Sequence, residues 1–226
     1  MKQPTVSRVL KDSKVHIALP CYGGQISEAT FSSLMRFTIR CVKLGINVAI
    51  DTLPNESLIT RARNNLAARM LADPKATHIM FIDADIGFDE RAIFKLIDHD
   101  LDMVAGVYPK KQLPISYVVN GIKDGEVRGH LQEVRHAGTG FLLIKRGVFE
   151  RLIDKMPERK YRDNIGFGKA YEPFMYGFFE TQIDAQGYYQ SEDYYFCDLV
   201  RSELGVKIWV DRSIKLAHTG YYVFKN

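Results

Sequence analysis

Two aspartates end an apolar run in the segment HIMFIDADIGF, residues 78–88: Asp83 and Asp85, with only Ala84 between them. Carboxylates at the end of a buried strand need a positive partner, because an isolated charge is costly to desolvate. In extended backbone, residues i and i+2 project to the same side. The pair therefore offers a two-pronged oxygen site, and Ala84 keeps the turn slim. Such a site suits a hard divalent cation, Mg2+ or Mn2+, completed by water and phosphate oxygens. The alternative is that both aspartates cap the helix starting at Asp89-Glu90.

Other chemistry-bearing residues fall where they could join this pair. The stretch PCYGG follows the first apolar run. Tyr22 could stack on a base, and the two glycines let backbone approach a ligand closely. In TRARNN, Arg61 and Asn64 share a helix face at i, i+3 spacing. Arginine there, at Arg61 or Arg63, offers a fork of donors to phosphate or ribose; a solvated basic face is the alternative. In SED, Asp193 stands with Glu192 at a helix start, where the dipole favours an ionised carboxylate and so a general base. Many helices simply begin this way. His218 lies in AHTG, and a neutral imidazole on the metal would favour Mn2+ over Mg2+. In HAGTGF, Gly138 and Gly140 flank Thr139, which could bind a sugar hydroxyl; a glycine-bent strand is the alternative.

The elements that must position these residues follow from periodicity. KVHIALP (14–20), INVAID (46–51), HIMFID and LDMVAGVY read as buried strands, alternating with helices over 27–44, about 57–72 and 89–100. Four such alternations predict a parallel sheet with crossover helices, its strands apolar because both faces are covered. Ligands of such sheets sit beyond the carboxyl ends of the strands, where Asp83 and Asp85 fall. After residue 108, the Asn120-Gly121 and Asp124-Gly125 turns predict a hairpin and mixed or antiparallel strands. RGVFERLIDKM is a short helix. Residues 157–190, rich in Tyr, Phe and Gly, are read as a long functional loop whose 171–189 part closes as a lid, against the alternative of a satellite hydrophobic cluster. A helix capped by Ser191 and stopped by Gly205 precedes two final strands. No internal repeat or linker interrupts the chain, so a single domain is expected.

Composition narrows the class. The 226 residues are 46% hydrophobic, enough for a core, with a net charge of +4. There is no block of like charge, so nucleic acid is not an expected partner, whereas an anionic small molecule is. Cys21, Cys41 and Cys197 lack CxxC spacing and read as buried free thiols of a reducing compartment. The segment MKQPTVSRVLKDSK has no apolar signal-peptide core, and no apolar run reaches the ~18 residues of a membrane span. The expectation is a soluble, cytoplasmic protein.

The order of PCY, ARNN, FIDADIGF, AGTGFLLIKRGVFERL, SEDYYFCDLVRSELGVKIWVD and LAHTG, over roughly residues 15–220, resembles GT-A-fold glycosyltransferases of the family 2-like type. It is similar in particular to the small glycosyltransferase domains encoded by large algal viruses. The resemblance implies an α/β fold: a Rossmann-like half with a mixed, mainly parallel sheet flanked by helices (about 15–108), and a smaller antiparallel acceptor half (about 109–220). It implies that Asp83 and Asp85 form a D-x-D metal site, Asp85 the more direct ligand, holding the diphosphate of a nucleotide-sugar donor on Mn2+ or Mg2+. Pro20, Cys21, Tyr22, Asp51, Arg61, Asn64, Ala84, Gly138 and Thr139 fall in segments that line the donor site. Asp193, beside Glu192, matches the general base of inverting members, and His218 the late histidine some members place on the metal. The acceptor would be a glycan or glycoprotein, but the family's Q-x-x-R-W-type acceptor motif is absent. Two other readings remain: a haloacid dehalogenase-type phosphohydrolase, which also uses D-x-D but on its first strand, and a non-catalytic nucleotide-sugar-binding module.

Overall fold

The computed structural model describes residues 7–220 and 223–225; residues 1–6 of the polar N-terminal segment lie outside the described residues. In chain order the strands are β1 (Lys14–Cys21), β2 (Asn47–Pro54), β3 (His78–Ile82), β4 (Ile86–Phe88), β5 (Met103–Gly106), β6 (Val119–Gly121), β7 (Val127–Arg128), β8 (Leu131–Ala137), β9 (Phe141–Lys145), β10 (Gln182–Ile183), β11 (Tyr189–Gln190), β12 (Ile208–Asp211), β13 (Leu216–Thr219) and β14 (Val223–Lys225). The helices are α1 (Arg8–Asp12), α2 (Glu28–Leu44), α3 (Ile59–Ala72), α4 (Ala92–Asp98), α5 (Arg146–Lys155) and α6 (Glu192–Leu204).

A nine-stranded sheet runs in the order β2-β1-β3-β9-β5-β12-β8-β6, with β7 also pairing β8. The pairs β1–β2, β1–β3 and β5–β12 are parallel. The sheet is not purely parallel as the alternation suggested: β3 and β5 are separated by β9, which runs antiparallel to both. All strands except β8 and β9 point one way, so the sheet is mixed and mainly parallel in direction. A small antiparallel sheet, β14-β13-β4, flanks its rim.

Alternation along the strands divides the core between the two faces. Ile79 and Phe81 join one apolar cluster, together with α3, α5 and α6. Met80 and Ile82 join the other, with α1, α2 and α4. Each fully buried phenylalanine, such as Phe81, Phe149 or Phe196, contributes about 1.5–3 kcal/mol by leaving water. α2 is fixed at both ends: the Ser27 hydroxyl accepts from the Thr30 N–H at 3.2 Å, and Gly45 turns left-handed at φ 67° to stop it.

Two expectations need correcting. β2 is not a buried strand: it is the sheet edge, and Ile50 is 42% exposed. Its apolar composition resembles that of a central strand, but it has a neighbour on one side only. Nor is 157–190 one long lid. Met175, Tyr176, Phe178 and Phe179 are buried in the core, and Phe179 stacks on Phe196 with ring centres 4.4 Å apart. The alternative reading, a hydrophobic cluster, describes 174–179. Within 157–190, the exposed tyrosines are Tyr188 and Tyr189 of the β10–β11 hairpin.

Candidate functional site

β4 and β13 bring the D-x-D turn and the AHTG segment, far apart in sequence, together at the sheet's rim. In their register His218 lies opposite Ile86, and the Thr219 N–H donates to the Asp85 carbonyl at 2.9 Å. His218 is thereby set beside Asp85, its Nε2 3.4 Å from Asp85 Oδ1. On the far side of the ring, Nδ1 lies 2.7 Å from the Pro109 carbonyl oxygen. A carbonyl only accepts, so Nδ1 carries the hydrogen, and Nε2 presents either a second N–H or a bare lone pair to the carboxylate. Asp85 Oδ1 is buried and accepts no hydrogen bond among the described residues. A lone pair facing a carboxylate oxygen is repulsive, so a cation belongs between them: a proton or a metal. A separation of 3.4 Å is long for a hydrogen bond. It leaves the carboxylate and the imidazole placed so that both would hold a cation between them. The carbonyl behind the imidazole is the arrangement that orients metal-bound histidines. Carboxylate and imidazole thus fit Mn2+ with two protein donors. No group of three or more His, Cys, Asp or Glu able to hold a metal occurs among the described residues, so a metal here would need water and ligand oxygens for its remaining positions. The other oxygen, Asp85 Oδ2, accepts from the Lys111 ammonium. Burial acts to raise the Asp85 pKa, but the His218 and Lys111 contacts outweigh it and hold it below the usual carboxylate range.

Asp83 faces a different partner. Arg63 Nη2 donates to Asp83 Oδ1 at 3.0 Å and Arg63 Nε donates to Glu192 Oε1 at 3.2 Å. The guanidinium thus ties the D-x-D turn to the first residue of α6. Burial alone would lower the Arg63 pKa, but the Asp83 and Glu192 charges reverse this and raise it. Its third nitrogen, Nη1, is buried without a hydrogen-bond partner among the described residues. Asp193 follows in the first turn of α6. Its Oδ1 accepts from the Ser191 hydroxyl at 2.5 Å and the Tyr194 N–H at 2.8 Å. Ser191 occupies the cap position, but its side chain holds Asp193 rather than capping the helix.

Between these carboxylates stands Tyr108, two residues beyond β5. Burial, then the charges of Asp83 and Asp193, push its phenol well above the ordinary range. It packs edge-on against the His218 ring at 5.3 Å and accepts from the Gly140 N–H at 3.1 Å. The glycines of HAGTGF are required by this packing. A Cβ on Gly138 would lie 2.3 Å from the Tyr108 hydroxyl, and one on Gly140 2.8 Å from Asp83 Oδ2. Thr139 is buried between them.

A cavity of about 500 Å³ opens beside the D-x-D turn, lined among others by Pro20, Tyr22, Ile59, Arg63, Asp83, Ala84 and Asp85. Tyr22 is 80% exposed at its mouth. Six predicted donor-site residues are not among its lining: Gly138 and Thr139, in the segment packed against Tyr108, and four others. Cys21 is buried and its thiol donates back to the Leu19 carbonyl. Asp51 sits part-way along β2, held by His16 at 3.0 Å and facing Arg69 at 3.8 Å. Arg61 is turned to Glu56 in a two-pronged pair of 2.7 and 2.8 Å. Asn64 is buried and binds the backbone of Phe178 and Phe179, pinning the aromatic segment to α3. Arg63, not Arg61 or Asn64, is the polar α3 residue that lines the cavity. Tyr108 and Lys111 were not singled out from the sequence. The polar tip of Tyr108 at a strand end was an available signal; for Lys111 there was none.

No family model matches the chain, and no curated protein matches it. Among solved structures, A197 from STIV is similar with a TM-score of 0.53 and 20% identity, over 92% of this chain and 86% of that one. The chain has a GT-A-like fold. A UDP-glucose pyrophosphorylase complexed with UDP-glucose is similar at a TM-score of 0.48 and 9% identity, over 91% and 92% of the two chains. A glycosyltransferase involved in the glycosylation of the major capsid of PBCV-1 gives 0.36 and 14%, over 71% and 72%. No helix among the described residues is long and apolar enough to cross a membrane.

Proposed function

We propose that this GT-A-like chain is a metal-dependent glycosyltransferase that moves a sugar from a nucleoside-diphosphate donor to a hydroxyl acceptor on a glycan or glycoprotein. The observation that carries the reading is the gap between Asp85 Oδ1 and His218 Nε2, 3.4 Å wide, with an unpartnered carboxylate oxygen on one side and an imidazole held by Pro109 on the other.

Asp85 and His218 hold the cation, Mn2+ in preference to Mg2+ because one donor is nitrogen. When bound, it offsets the negative charge that grows on the departing diphosphate. The unpartnered Nη1 of Arg63 supplies a further donor to ligand oxygens in the cavity. Tyr22, exposed at the mouth, stacks on the nucleobase. Asp193, held by Ser191 and Tyr194, takes the proton of the acceptor hydroxyl. The acceptor oxygen bonds to the anomeric carbon, and the bond to the diphosphate breaks with its electron pair on the phosphate oxygen. Attack opposite the leaving group inverts the anomeric centre. Glu192 is committed to Arg63, which leaves Asp193 as the base of the pair.

A phosphohydrolase of haloacid dehalogenase type would need Asp83 as nucleophile. The contact of Asp83 Oδ1 with the buried Arg63 guanidinium argues for an orienting carboxylate instead. A thermal-shift screen of nucleotide-sugars with and without MnCl2 tests the proposal. Stabilisation by one donor only with metal, followed by sugar transfer, supports it. Phosphate release from simple phosphoesters, or nucleotide binding with no turnover of any donor, contradicts it.

A further inference from the structure

We propose that Lys111 is a built-in counter-cation: its ammonium neutralises Asp85 while the metal is absent and moves to the donor's diphosphate when the metal enters. This rests on the function proposed above and names how that same site is regulated. The Lys111 ammonium donates to Asp85 Oδ2, while the other oxygen of that carboxylate faces His218. The same carboxylate that would hold the dication is thus partly neutralised by a side chain of the chain itself.

The loop bearing Lys111 is anchored on both sides of it. The Pro109 carbonyl accepts from His218, the Lys110 N–H donates to the Ser116 carbonyl at 2.7 Å, and Pro109 bridges Tyr117. Between these anchors, Lys111 is 40% exposed at its side chain. Its stem runs past Gly220, whose missing Cβ would lie 3.3 Å from the lysine Cδ. A lysine on a fixed backbone carries its charge on a flexible four-carbon stem with three rotatable donors. The head can therefore shift while the loop stays put.

The charges set the direction of the movement. A dication between Asp85 and His218 repels a neighbouring ammonium, so metal alone must compete with Lys111. A diphosphate attracts both cations and gives the displaced ammonium a new partner. Metal and nucleotide binding are then coupled through Lys111, each strengthening the other.

The test compares the full chain with Lys111→Gln, Lys111→Arg and Lys110→Gln. Mn2+ binding is followed from the electron paramagnetic resonance of free Mn2+, without nucleotide. Binding of UDP, GDP and CDP is followed by calorimetry at saturating MnCl2. Removing the competing ammonium tightens Mn2+ binding about two- to fivefold, the size of a partly exposed ion pair. The same change weakens binding of the preferred nucleoside diphosphate about tenfold to a hundredfold, as loss of a hydrogen bond to a charged group does. Lys111→Arg retains the behaviour of the unaltered chain, and Lys110→Gln changes neither affinity. A merely structural lysine would not produce opposite shifts in the two affinities. Unchanged affinities in Lys111→Gln, or weaker Mn2+ binding, overturn the proposal, as does an equal effect of Lys110→Gln. Failure of the unaltered chain to bind metal or nucleotide overturns the proposed function as well.

Discussion

Replacing Arg63 by methionine should loosen both the core and the site at once. The guanidinium is 4% exposed and donates to Asp83 at 3.0 Å and Glu192 at 3.2 Å, whose side chains are 29% and 13% exposed. Methionine keeps the stem volume beside Phe81, over which the guanidinium carbon lies 5.7 Å from the ring centre. What is lost is the charge, leaving two carboxylates facing each other without a cation. Breaking a buried ion pair by removing one partner costs about 3–5 kcal/mol. Both carboxylates keep some contact with water, which places the expected loss near 3 kcal/mol. For a domain of this size that is a fall of about 6–12 °C in Tm. The single tryptophan, Trp209, is buried in the core, so urea unfolding followed by its fluorescence gives the stability directly. A loss below about 1 kcal/mol refutes the reasoning. So does simple additivity between Arg63→Met and Asp83→Asn, because directly bonded partners should show a coupling energy.

Four further outcomes are expected. Asp193→Asn should bind donor normally but transfer sugar about 10²- to 10⁴-fold more slowly, in a steady-state assay; normal transfer reduces Asp193 to a helix-start residue. Gly140→Ala puts a methyl 2.7 Å from the Tyr108 hydroxyl and 2.8 Å from Asp83 Oδ2, so it should cost about 1–3 kcal/mol in urea unfolding and weaken nucleotide binding measured by calorimetry. Burial, and then the neighbouring Lys145 charge, hold the His78 pKa down to about 4 against the weaker pull of Asp100. Between pH 6.5 and 4 the unfolded chain binds more protons at this residue than the folded one, so stability falls as pH drops through that window, by about 3 kcal/mol in all; His78→Gln should flatten that slope in urea titrations at several pH values. Tyr22→Ala should weaken nucleotide binding by about 1–3 kcal/mol with unchanged Tm, if the exposed ring stacks on the base.

The sequence showed its local elements better than their partners. α2 and α6 were legible because Ser27 and Gly45, and Ser191 and Gly205, mark their ends. The antiparallel place of β9 was not, because nothing in FLLIK says which strands it will separate; pairing is decided by distant contacts. The D-x-D turn, Asp193 and His218 were legible as types at strand and helix ends. Asp51 was misplaced for a local reason. β2 continues to Pro54, three residues past the expected end, which leaves Asp51 short of the rim and within reach of His16. Arg61 and Asn64 were preferred over Arg63 because α3 gives no phase. Residues 62–68 are buried on every side of the helix, so periodicity cannot tell which face meets the ligand. Lys111 was invisible because its role depends on the path of an irregular loop.

The proposed function stands on a metal cation held between Asp85 and His218. Crystals soaked with MnCl2 and a nucleoside diphosphate, measured for the anomalous scattering of manganese, test it most directly. A manganese peak is expected about 2.1–2.3 Å from Asp85 Oδ1 and His218 Nε2, with His218 Nδ1 still donating to the Pro109 carbonyl. Bound nucleotide without that peak, or manganese held elsewhere on the chain, would contradict it.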